Sequence, residues 1–131
     1  MMMEFSKEFV KASLKRAEKA LRAAKILLEH EEIEDSASRI YYAMFHAIKA
    51  LLYSKGIKSK THKGTITLFG EHIVRKGILD EKFADVIRKA FDLRQKSNYE
   101  IYAKLDKETV KDLIGKAKKL IEKVKKIVEK R

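Results

Sequence analysis

The run DSASRIYYAMFHAIKALLYSK, Asp35 to Lys55, decides the fold. Its apolar positions are Ala37, Ile40, Tyr41, Ala43, Met44, Phe45, Ala47, Ile48, Ala50, Leu51 and Leu52. On a helix of 3.6 residues per turn these go most of the way round. A helix that is apolar on nearly every side has to be surrounded by other elements, so this segment is expected at the centre of its domain. Asp35 or Ser36 is the expected N-cap, and Gly56 supplies a left-handed stop.

Four further helical segments flank it. The first runs from about Ser6, its expected cap, to His30, with Val10, Leu14, Ala17, Leu21, Ala24 and Leu28 spaced by four and three. A short one covers about His62 to Lys76, with Thr61 as cap, Gly64 and Gly70 inside it and Gly77 at its end. The fourth runs from Asp80, a good cap, to about Tyr99. The fifth runs from Asp106 to near the C-terminus on the stripe Val110, Leu113/Ile114, Ala117, Leu120/Ile121, Val124 and Ile127/Val128. Short links between long helices predict an all-α fold, an antiparallel bundle of four to five helices forming one domain over residues 1–131.

Composition agrees and excludes several chemistries. There is no proline and there are only five glycines, too little punctuation for strands joined by tight turns. Without cysteine there is no disulfide, thiolate metal site or thiol nucleophile. The four histidines, His30, His46, His62 and His72, show no paired ligand spacing, and there is no nucleophile elbow. Neither a metal nor another cofactor is expected. No run resembles a signal peptide or approaches about 18 apolar residues, which predicts a soluble, cytoplasmic protein with no membrane partner. Heavy use of Lys and Glu, with a single Asn and a single Gln, resembles a thermophile composition.

The net charge is +12. Between Lys104 and Arg131 there are eleven basic and five acidic residues, a balance of +6 and half of the total. Two readings fit. Either the chain meets an anionic partner, such as RNA, a nucleotide or an acidic protein, or it carries a solvated lysine surface.

Polar residues on apolar faces mark three candidate sites. Arg39, Tyr42 and His46 share a face of the central helix. They fit an anion or nucleotide site with His46 as acid or base, while the seam taken alone reads more readily as a satisfied core. Thr61-His62-Lys63-Gly64 sits at a helix N-terminus, where phosphate binding competes with simple capping. Arg94 falls on the stripe Phe83, Val86/Ile87, Ala90/Phe91, where a charge is costly unless paired or functional. Gln95, Asn98 and Tyr99 lie beside it. Arg94 and Asn98, four apart, suit a bidentate phosphate clamp, or a buried ion pair with Asn98 ending the helix.

Taken in order, Ser38-Arg39-Ile40-Tyr41-Tyr42-Ala43-Met44-Phe45-His46, Leu51-Leu52, Gly56, Thr61-His62-Lys63-Gly64, Leu68-Phe69 and Arg94 through Tyr99 resemble the HEPN domain (higher eukaryotes and prokaryotes nucleotide-binding), in its small stand-alone prokaryotic branch. The resemblance implies a helical bundle that forms homodimers, encoded with a small nucleotidyltransferase as a toxin–antitoxin pair. It implies nucleotide or RNA binding through Arg39, Tyr42, His46, His62, Arg94 and Asn98. Several such proteins are metal-independent RNases with an Arg followed four to six residues later by a His. Here Arg94 matches the arginine, but Tyr99 stands five positions on, and no histidine follows His72. A phenol with pKa about 10 is a poor base at neutral pH. Three functions therefore stand: a nucleotide- or RNA-binding module paired with a nucleotidyltransferase, an RNase toxin using Arg94 with Tyr99 or with a remote histidine, His46 or His62, and a structural dimerisation module.

Overall fold

The computed structural model describes residues 2–99 and 105–130, with side chains for 7–95 and 105–130. Five α-helices follow in order: α1 (Met2–Glu29), α2 (Ile33–Ser54), α3 (His62–Phe69), α4 (Glu81–Tyr99) and α5 (Lys107–Glu129). A π-helical turn, Gly70–Val74, extends α3. The fold is the expected all-α bundle, and no strand occurs among the described residues. No described helix is long and apolar enough to cross a membrane.

α2 is the axis of the packing, with α1, α3, α4 and α5 all against it. More than half of its residues are buried, among them Ile40, Tyr41, Met44, Ile48, Leu51 and Leu52. Its tightest partner is α1. Ala17, Ala20 and Ala24 of α1 and Ala37, Ala43, Ala47 and Ala50 of α2 are buried, and their short side chains suit close approach of two helices. Ser36 adds a polar clasp: its buried hydroxyl donates to the Ala24 carbonyl at 2.7 Å.

Two expected helix starts move. α1 begins at Met2, so Ser6 lies within the helix, and its side chain is outside those described. α2 begins at Ile33, so neither Asp35 nor Ser36 caps it. The reason is the tight link from α1. Glu32 N–H bonds to Leu27 O at 2.9 Å and Glu31 N–H to Leu28 O at 3.1 Å, with Glu31 at φ 64°. This Schellman turn closes α1 and releases the chain straight into α2. Ser36, facing α1, then bonds across the hairpin instead of along its own helix.

The remaining caps match the sequence. Gly56, at φ 78°, closes α2 with a second Schellman turn through Ile57 N–H to Leu52 O at 2.9 Å. The Thr61 hydroxyl accepts from Gly64 N–H at 2.9 Å, Asp80 from Lys82 N–H at 2.8 Å and Asp106 from Glu108 N–H at 3.2 Å. The expected helix to Lys76 instead widens at Gly70, where Arg75 N–H reaches Gly70 O at 2.9 Å, a five-residue step.

Ser36→Ala should lower unfolding free energy by about 1 kcal/mol, because one buried hydrogen bond is lost without a large cavity. Gly56→Ala should cost a similar amount, because an L-residue at that φ pays about 1–2 kcal/mol. Urea unfolding of each variant reads both values.

Candidate functional site

Four elements bring the site together. α2 supplies Tyr41, Tyr42, Phe45 and His46 from two successive turns. The link to α3 is held by polar contacts: the buried Thr65 hydroxyl lies 2.6 Å from Ser59 Oγ and 2.7 Å from Thr61 O. With the Thr61 cap, these fix His62 as the first residue of α3 and aim its ring at α2. α4 supplies Phe91 and Arg94.

Tyr41 is fully buried, and its hydroxyl lies 2.6 Å from His62 Nδ1. Burial is the main reason that its pKa is raised to about 12; the nearby Arg94 charge only moderates this. The phenol therefore stays protonated. A buried hydroxyl hydrogen without an acceptor is costly, so Tyr41 donates and Nδ1 accepts. That places the proton of neutral His62 on Nε2. Protonating the ring turns Nδ1 into a donor and takes the acceptor away from Tyr41.

His62 stacks on Phe45, with centroids 4.2 Å apart and planes at 13°. Tyr42 meets its edge at 6.1 Å, and His46 lies 6.3 Å from Tyr42. The pKa of His62 is lowered, first by burial and then by Arg94 and Lys49. That of His46 is lowered too, by burial first, then Arg16, Lys49 and His62. Both rings are neutral at physiological pH.

Arg94 lies over the two tyrosines. Its Nη2 donates to the Tyr42 hydroxyl at 2.8 Å, and its Cζ is 4.9 Å from the Tyr42 ring centroid and 5.4 Å from that of Tyr41. Tyr42 accepts from the guanidinium and keeps its own O–H as a donor. The donors here are the Arg94 guanidinium, the Tyr42 hydroxyl and His62 Nε2–H, and neutral His46 adds one N–H and one bare ring nitrogen. Such a set suits an anion, and the flat rings between them suit a base.

Three of the segments marked in the sequence therefore meet: Tyr42 and His46 from one, His62 from the second and Arg94 from the third. Arg39 does not join them; it is exposed and makes no ion pair among the described residues. The i, i+3 spacing put it near the Tyr42 face, but its position faces solvent beside the buried Ser36 and Ile40. The side chains of Asn98 and Tyr99 lie outside those described. Tyr41 is the residue that sequence reasoning missed, because it counted as core. The signal was present in the tandem Tyr41-Tyr42: neighbours on a helix point about 100° apart, so one phenol had to enter the core and find a partner there.

The HEPN domain family model matches residues 10–127 of the chain. A Methanocaldococcus jannaschii protein named as a candidate toxin is 41% identical over 93 residues, covering 71% of this chain and 69% of its own. A second candidate toxin of that organism is 33% identical over 116 residues, covering 88% and 78%. A UPF0332 protein of Thermotoga maritima is 33% identical over 103 residues, covering 79% and 78%.

The depressed histidine pKa values set a pH dependence. The unfolded chain binds protons near pH 6.5, above the folded pKa values, so folded stability is complete above about 6.5 and falls as the pH drops below it. Thermal unfolding between pH 8 and 5 should show this decline, and His62→Gln should flatten it. Nitrogen-15 spectra at pH 7.5 should show His62 protonated at Nε2 and bare at Nδ1.

Proposed function

The chain belongs to the HEPN domain family, and on that premise we propose that it is a nucleotide- or RNA-binding module centred on Arg94. The observation that carries the reading is the Arg94–Tyr42 contact over a cluster of aromatic rings with two neutral histidines. Arg94 and the Tyr42 hydroxyl engage a phosphate, His62 Nε2–H donates to the same ligand, and His46 and Tyr42 offer ring faces to the base. Asn98 and Tyr99, close along α4, belong to this proposal as orienting groups, and Arg39 as a peripheral positive charge. The net charge of +12 favours the approach of any such anion.

The names of the relatives support a toxin-like role, and we extend the proposal to a homodimer paired with a small nucleotidyltransferase. Binding is favoured over RNA cleavage by the His62 hydrogen bond. A general base needs an accessible lone pair, and the Nδ1 lone pair of His62 is occupied by Tyr41. His62, whose pKa the Arg94 charge helps to lower, is set up to donate, and His46 is the imidazole whose bare nitrogen the cleavage assay tests.

Isothermal titration with AMP and with a short RNA should show saturable, salt-sensitive binding. Arg94→Ala should weaken it at least tenfold while circular dichroism reports a folded bundle, and Arg94→Lys should recover only part of it. Metal-free incubation should leave RNA intact. Cleavage that disappears in Arg94→Ala would establish the RNase reading instead. A wild-type protein that neither binds nor cleaves would leave the structural dimerisation module.

A further inference from the structure

Lys49 lies on this face of α2, near the two histidines, and is not among the groups assigned to the Arg94 site. It is half-buried on α2, and its Nζ lies 5.6 Å from the ring centroid of Phe45 and 5.9 Å from those of Phe9 and Tyr53. Phe9 and Tyr53 stack on each other at 4.1 Å, joining α1 to α2. Lys49 makes no ion pair among the described residues, and its charge lies against ring faces on its protein side. Arg16 of α1 acts on the same neighbourhood, since both cations help to lower the His46 pKa.

The Lys49 box and the Arg94 site are continuous. Lys49 lies over Phe45, Phe45 stacks on His62, His62 meets Tyr42, and Tyr42 carries Arg94. Every step in this series is a contact of about one ring. Tyr42, His46, Lys49 and Tyr53 are spaced by four, three and four, which keeps them on one face of α2. From Tyr42 to Lys49 is two turns, roughly 10 Å along the helix. One phosphate group does not span that distance, so the two cations would meet different nucleotides. A cation at each end, with the half-exposed rings of Tyr42, His46, His62 and Tyr53 between and beside them, is an arrangement that holds a single strand without reading its sequence.

We infer that Lys49, with the Phe9–Tyr53 stack, forms a second subsite, and that the ligand of this face is a short single-stranded RNA lying along α2, not a mononucleotide. The inference rests on the Arg94 reading and adds the substrate length.

The test compares AMP with a mixed-sequence tetraribonucleotide on the full chain. The tetranucleotide should bind at least about tenfold more tightly. Lys49→Gln should weaken tetranucleotide binding about three- to tenfold and reduce its salt slope by about 0.7, the value for one phosphate contact on a single strand. AMP binding should be unchanged in that variant, which also shows that it is folded, and Lys49→Arg should restore the tetranucleotide affinity. A Lys49→Gln protein that binds the tetranucleotide normally, or loses AMP equally, overturns the subsite. Binding of AMP that depends on Arg94, with no gain from the longer ligand, overturns it while leaving the Arg94 site standing. Absence of binding to both ligands removes both.

Discussion

The burial of α2 on nearly all sides is the constraint from which the rest follows. A helix packed by α1, α3, α4 and α5 keeps one half-exposed stripe, Tyr42, His46, Lys49 and Tyr53, and must bury Tyr41 beside it. Tyr41 is fully buried, and a buried phenol requires a partner for its hydroxyl. His62 is that partner, so the first residue of α3 is drawn onto α2. Tyr42, one position on, turns out of the core towards α4 and receives Arg94. The tandem tyrosines thus couple two otherwise separate helices to one place on the central one.

The same geometry sets the chemistry. A guanidinium over two phenol rings keeps its charge at little desolvation cost, because ring faces replace part of its hydration. The histidines, partly removed from water and near cations (Arg94 and Lys49 for His62, Arg16 and Lys49 for His46), stay neutral. Tyr41 fixes the tautomer of one of them. The site therefore presents donors and flat surfaces, which suit a nucleotide, while neutral His46 keeps the one bare ring nitrogen among its imidazoles not taken by a hydrogen bond among the described residues. Tyr99, standing where the RNases of this family are expected to carry histidine, is consistent with binding over cleavage.

The sequence made the architecture legible because its signals are local. The all-round apolarity of Asp35–Lys55 placed α2 at the centre, and Gly56, Thr61, Asp80 and Asp106 marked turns and caps that the structure keeps. It misplaced the start of α2, because a Schellman turn with Glu31 at positive φ carries no glycine signal. It identified Tyr42, His46, His62 and Arg94 one segment at a time. Their meeting depends on how α3 and α4 cross α2, a long-range property that periodicity does not encode. Arg39 was grouped with them on helical spacing alone, and the structure leaves it in solvent. Tyr41 escaped notice for the opposite reason, since hydrophobic patterning treats a phenol as core.

The account places the ligand on the Arg94 cluster and treats the lysines of α5 as a general attraction for anions. Nuclear magnetic resonance mapping during a titration with a short RNA separates the two most directly. The account predicts saturating shifts in the Arg94 side-chain N–H and in the His46 and His62 ring signals, with only weak, salt-erased changes along α5. Saturating shifts confined to the α5 lysines, with the Arg94 and His62 signals unmoved, would contradict it.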